Sequence, residues 1–131
     1  MRLVIALAVS LIVLVGCDTN TSSRLVEYVA DGRAASIDVA FIAPAGLPAP
    51  SDTTFVPGDS TYTSGDTTFV LNVSPTWRWS FKADDGQRLF LRVVNRTDRN
   101  HVSAIIYVDD DYFTSAGSAD PFGVAQCGGT L

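Results

Sequence analysis

The sequence is short of the residues that most chemistry requires. Its 131 residues include one histidine, His101, and two cysteines, Cys17 and Cys127, whereas a zinc site takes three or four such ligands. No G-x-S-x-G nucleophile elbow occurs, and no glycine-rich phosphate cradle follows a strand and opens a helix. No pair of carboxylates is singled out for glycoside chemistry. The expectation is therefore a non-enzymatic protein without metal or cofactor. Cations are also scarce: nine Lys and Arg stand against 14 Asp and Glu, a formal charge of −5. Nucleic-acid binding needs clustered cations to neutralise phosphates, so that partner class is excluded. Anionic headgroups fit such a surface poorly as well. The acidic residues are scattered, as on a solvated exterior. Asp109-Asp110-Asp111 lacks the D-x-[DN]-x-[DN]-G spacing of a calcium loop and reads as a charged turn. His101 lies in a polar stretch and reads as an exposed loop residue.

A membrane-spanning segment is missing too. The apolar run Leu3–Val15, broken only by Ser10, falls short of the roughly 20 residues that cross a bilayer as a helix. Behind the single charge of Arg2 it has the dimensions of a secretory signal. Leu14-Val15-Gly16-Cys17 resembles a lipobox, the processing site of bacterial lipoproteins, whose Cys takes a diacylglycerol through a thioether as the signal is cut before it. The reading is a signal peptide over residues 1–16, a lipidated Cys17 with a flexible polar tether over 17–23, and one domain over 24–131. Each buried methylene of an acyl chain contributes about 0.8 kcal/mol, so more than one chain anchors stably. The expected address is the cell envelope, on the non-cytoplasmic side of a bacterial membrane. Asp18 resembles the inner-membrane retention signal of proteobacteria. The alternatives are an ordinary secretory signal and an uncleaved anchor. With Cys17 committed to lipid, Cys127 has no disulfide partner in its own chain. Burial is its expected state and an intermolecular contact the alternative.

Helical spacing is the last absence, for the period is two throughout. Arg24–Ala30 alternates and ends at Asp31-Gly32, a hairpin-turn signal. Ser36–Ile42 follows, and the Pro- and Gly-rich stretch Ala43–Pro50 stops it. Asp52-Thr-Thr-Phe-Val56 recurs as Asp66-Thr-Thr-Phe-Val70, too short a repeat for a solenoid and read as a Thr-rich strand and hairpin. In Trp77–Lys82 the aromatics Trp77, Trp79 and Phe81 share one face. Asp84-Asp85-Gly86 reads as the next tight turn, before Arg88–Val94 with Leu89, Leu91 and Val93 inward. A polar loop, Asn95–Asn100, precedes Val102–Val108. Tyr112–Thr114 and Phe122–Cys127 complete seven to nine short strands with turns every eight to twelve residues. This is the pattern of an all-β, antiparallel, immunoglobulin-like β-sandwich, with a β-barrel as the alternative.

One feature points to binding. With Leu89, Leu91 and Val93 inside, Phe90 faces out, and Ile105 and Tyr107 do likewise on the next strand. If those consecutive strands pair, Phe90, Ile105 and Tyr107 form one apolar patch of the kind that marks an interaction site. The opposing reading is that the 43–64 stretch folds over it.

The order of motifs resembles a known family, the small membrane-attached MmpS accessory proteins of mycobacteria and their relatives. Val26-Glu-Tyr28-Val-Ala-Asp-Gly32 matches its V-x-Y-x-V-x-G strand and turn, and Ile37–Gly46 its next strand. Pro75-Thr-Trp77 matches a P-W strand start, and Gly86-Gln-Arg-Leu89-Phe-Leu91 a G-x-x-L-x-L strand. Ile106-Tyr-Val-Asp109 matches I-x-V-D-G, with Asp110 in place of the Gly, and Cys127-Gly128 matches the tail. The likeness covers nearly the whole domain. It departs in three ways: a lipid signal replaces the transmembrane helix, residues 55–68 are an insertion, and the tail Cys lacks its disulfide partner, which would fall near Ala104. The resemblance implies an immunoglobulin-like sandwich without catalysis that assists a large membrane transporter exporting lipids or siderophores. The competing expectation is a stand-alone ligand-binding or structural envelope lipoprotein, with Trp77 and Trp79 as an exposed platform. Aromatic strand residues otherwise belong in a core, given the area they bury.

Overall fold

Alternating polarity folds the chain into strands that each turn one face inward. The computed structural model describes residues 22–44 and 66–131 and the backbone of 60–64. The signal stretch, Cys17 and the first copy of the Asp-Thr-Thr-Phe-Val repeat lie outside the described residues. Nine strands run in order: β1 (Ser23–Gly32), β2 (Ile37–Ile42), β3 (Ser60–Ser64), β4 (Thr67–Val73), β5 (Trp77–Asp84), β6 (Arg88–Asn95), β7 (Val102–Val108), β8 (Asp111–Ser118) and β9 (Val124–Thr130). They form two antiparallel sheets, ordered β5-β1-β7-β8 and β3-β4-β2-β6-β9. The all-β antiparallel sandwich expected from the sequence is therefore present. One sheet has four strands and the other five among the described residues. Among the described residues no helix is long and apolar enough to cross a membrane.

Inward positions are closed off almost completely: Val26, Ala30, Ile37, Val39, Leu91, Val93 and Ile106 have no exposed surface. Five aromatics fill the middle. Trp79 lies 4.7 Å from Phe81 and 4.8 Å from Phe41 between ring centroids, and Tyr28 meets Phe81 edge-on at 5.0 Å. Trp77 is buried and Trp79 half-buried against the same core. The exposed tryptophan platform is thus not formed, because both indoles project from β5 into the space between the sheets.

Tyr28 ties the layers together. Its side chain crosses from β1, donates a hydrogen bond to the Ile42 carbonyl at 2.6 Å and accepts one from the Phe90 amide at 3.2 Å. Ile42 and Phe90 are register partners on β2 and β6, so one hydroxyl bridges two strands of the opposite sheet. Burial raises the Tyr28 pKa far above the ordinary phenol value, since the phenolate would have to exist without water.

The turns are where the structure corrects the sequence reading. Asp31-Gly32 does not close a hairpin: β1 and β2 lie in different sheets, and Gly32 remains paired with Val102. A Cβ on Gly32, whose φ is +143°, would collide with the His101 carbonyl. Asp84–Gly86 is a tight turn, with Gln87 N–H donating to the Asp84 carbonyl at 3.1 Å, yet it also passes the chain from one sheet to the other. Asp109-Asp110 is a true hairpin turn between β7 and β8. Both residues have positive φ, 51° and 66°, as the two central positions of a type I′ turn require.

Candidate functional site on the outer face of the five-stranded sheet

The patch expected from Phe90, Ile105 and Tyr107 is split by the topology. β6 pairs with β2 and β9, whereas β7 pairs with β1 and β8. Phe90 therefore faces out from the five-stranded sheet, and Ile105 and Tyr107 from the other. All three are half-buried. The cause is the loop between them. Asn95, buried at 1% exposure, donates to the Arg99 and Asn100 carbonyls at 2.9 and 3.3 Å. Its Oδ1 accepts from the Thr97 amide at 2.8 Å and the Thr97 hydroxyl at 2.7 Å. A side chain satisfied in this way holds the loop as an arch between sheets, where an in-plane turn was expected.

Each half of the split patch has its own surroundings. On the four-stranded sheet, Ile105 and Arg78 flank Val29 in register. Val29 points outward yet is only 2% exposed, and beside it Arg78 reaches Glu27 at 3.2 Å. Val29 is thus covered by the side chains of its neighbours.

The five-stranded sheet is different. Its outward positions on the central strand β2 are Asp38, Ala40 and Ile42. Ala40 is register partner to Phe69 on β4 and Arg92 on β6. A methyl group between longer neighbours leaves a hollow of about 230 Å³, lined by Asp38, Val39, Ala40, Phe69, Leu71, Arg92 and Val94. Phe90 stands two residues along β6 from Arg92, beside Ile42.

Two charges stand at the rim among the described residues, Asp38 and Arg92. Asp38 accepts from the Asn72 amide at 2.8 Å and pairs with Arg96 at 3.0 Å. Asn72 is held in turn by the Ser36 hydroxyl at 2.6 Å and has a φ of 60°. It sits where the β2–β4 register shifts, an irregularity that aims Asp38 along the face. Arg92 is exposed and makes no ion pair among the described residues. The hollow is smaller than the 300–1,000 Å³ of typical small-molecule pockets. Its volume suits one apolar side chain of a partner, with the Arg92 guanidinium placed for a carboxylate beside it. Sequence reasoning reached Phe90 but missed Ala40, because a single Ala among apolar neighbours gives no signal until the facing strands are known.

The remaining candidates resolve individually. His101 is exposed in the β6–β7 loop, where its carbonyl accepts from the Arg33 amide at 3.1 Å. Asp109 is paired with Arg24 at 2.9 Å, and this guanidinium, with the Leu25 amide, holds its carboxyl below the ordinary range. The Thr76 hydroxyl and the Gly32 amide do the same for Asp31. Cys127 is half-buried, with Sγ 3.5 Å from the Ala104 carbonyl. Burial pushes its thiol up to about 11, which leaves little thiolate for nucleophilic chemistry at neutral pH. No group of three or more His, Cys, Asp or Glu is placed to hold a metal ion among the described residues. Compared with models of protein families and with curated proteins, the chain matches none.

Proposed function

We propose that the chain is a bacterial envelope lipoprotein, acylated at Cys17 on the non-cytoplasmic side of a membrane. Its sandwich is a non-catalytic accessory to a large envelope transporter for lipids or siderophores. The observation that carries the anchor is Leu14-Val15-Gly16-Cys17 behind a short apolar run, with Cys17 five residues before Ser22, the first described residue of the domain.

The accessory role rests on the resemblance to the MmpS proteins, and the placement of the resembling residues supports it. Tyr28 of the first motif bridges β2 and β6, and Gly32 sits against the His101 carbonyl. Cys127 rests on Ala104, where the resemblance puts the missing disulfide partner. Among the described residues, the hollow over Ala40, with Phe90 and Arg92 beside it, is suited to docking a protein side chain.

The test is crosslinking in intact cells, followed by purification of the lipidated protein and mass spectrometry of what accompanies it. Recovery of one polytopic transporter, lost in an Ala40→Trp variant that fills the hollow, is the expected result. Recovery of the protein alone at good yield with an effective crosslinker would reject the accessory role and leave a stand-alone lipoprotein. A Cys17→Ala variant that still partitioned with membranes would reject the lipid anchor.

A further inference from the structure

The ends of the strands gather into two poles, the first of them richer in carboxylates. One gathers the start of β1, the β5–β6 turn and the β7–β8 turn. The Ser22 hydroxyl donates to Asp85 at 2.8 Å, the Asp109 amide to the Leu25 carbonyl at 2.7 Å, and Arg24 pairs with Asp109. The incoming chain is thus fastened to both turns. The other pole gathers residues 33–36, 95–101 and 119–123, joined by Arg33 to His101, Arg96 to Ser36 and Phe122 to Thr97 through backbone hydrogen bonds.

From this arrangement, and resting on the acylated Cys17 proposed above, we infer that the first pole is the surface turned toward the bilayer. Cys17 precedes Ser22 by five residues, a reach of at most about 18 Å when fully extended. A Cys carrying acyl chains sits at the headgroups, so Ser22 and the two turns fastened to it stay within that distance of them. An eight-residue strand is about 26 Å long, which sets the second pole beyond the reach of the tether while the domain stands upright.

Charge defines the kind of bilayer this pole fits. It carries Asp84, Asp85, Asp109, Asp110 and Asp111 against Arg24, Lys82 and Arg88, and Arg24 is already taken by Asp109. The far pole carries Arg33, Arg96 and Arg99 against Asp98 and Asp120, with Arg96 paired to Asp38 and Arg99 to Asp98. A neutral headgroup layer accepts the acidic pole, whereas an anionic one repels it and pushes the domain to the end of its tether. The Debye length is about 8 Å at physiological salt and about 30 Å at 0.01 M. An 18 Å tether therefore clears the repulsion in the first case and lies within it in the second.

The test uses the full lipidated protein, with Cys127→Ser to leave one reactive thiol, reconstituted into vesicles holding an acceptor-labelled lipid. A donor dye is placed at Asp110→Cys on the first pole or at Asp98→Cys on the second. Flotation comes first: lipidated protein that fails to float with vesicles would overturn the anchor itself. With flotation established, energy transfer in phosphatidylcholine vesicles is expected to be about twofold higher from position 110, given poles about 26 Å apart. Replacing a third of the lipid with phosphatidylglycerol at 0.01 M salt is expected to lower it, and 0.5 M salt to restore it. Equal transfer from both positions, or more from position 98, would overturn the orientation while leaving the anchor in place. Transfer indifferent to phosphatidylglycerol would overturn the role of the carboxylates.

Discussion

Removing one oxygen atom from the centre of this protein tests the account of how its two layers hold together. In Tyr28→Phe the ring stays in its aromatic cluster while the bridge between Ile42 and Phe90 disappears. The hydroxyl is fully buried and makes two hydrogen bonds, at 2.6 and 3.2 Å. Its loss leaves a carbonyl and an amide without that partner, each costing about 1–3 kcal/mol when buried and unpaired. The expected destabilisation is about 2–4 kcal/mol, a large share of the 5–15 kcal/mol typical of a domain. At about 4 °C per kcal/mol for a chain of this size, Tm falls by about 8–16 °C. Urea unfolding followed by circular dichroism reads the change as a lower midpoint at an unchanged slope. A loss under about 0.5 kcal/mol would refute the reasoning, because β2 and β6 would then have closed on each other without help. The alkaline limb gives an independent check. Tyr28 has a raised folded pKa, so its contribution is complete below the ordinary phenol value near 10 and is lost as pH rises above it. Parent stability should therefore fall more steeply than that of Tyr28→Phe above about pH 10.

Three further outcomes follow from named contacts. Gly32→Ala drives a Cβ into the His101 carbonyl at a positive φ and should cost at least about 3 kcal/mol; an unchanged urea midpoint would contradict it. Asp31 and Asp109 have lowered folded pKa values through Thr76 and Arg24, so their contribution is present above about pH 4 and lost as pH falls below it. The double variant Asp31→Asn, Asp109→Asn should be less stable at pH 7 and show a shallower acid limb in urea titrations from pH 6 to 2. Ala104→Cys should form a disulfide with Cys127, whose sulfur already lies against residue 104. Closing that 24-residue loop is worth about 3 kcal/mol by chain entropy, read from thiol counting and from a midpoint that drops on reduction.

The strands were legible because alternation reports burial directly. Leu89, Leu91 and Val93 are inside, as are Trp77 and Phe81. What alternation does not carry is the identity of the neighbouring strand. An outward Phe90 looks the same whether β7 lies beside β6 or across the core from it. The loop that decides between them is held by Asn95, a residue whose sequence setting reads as ordinary turn chemistry. Asp31-Gly32 misleads for a related reason. Glycine serves a two-residue hairpin, but it serves a close backbone approach equally well, and here the approach to His101 is what demands it. The hollow over Ala40 was illegible because its walls, Phe69, Leu71, Arg92 and Val94, come from strands flanking β2 on either side.

The central place of β1 has a consequence for the birth of the molecule. β1 has its partners far down the chain, since Val26 pairs with Phe81 and with Val108. Among the described residues, only β3–β4 and β7–β8 join strands that are neighbours in both sequence and sheet. Contacts so distant in sequence make folding slow for a chain of this length. A nascent fragment ending before Val102 can pair β1 with β5 but leaves the other edge of β1 without a partner. The second edge of β1 therefore stays bare until Val102–Val108 has been made, seven strands into a nine-strand order.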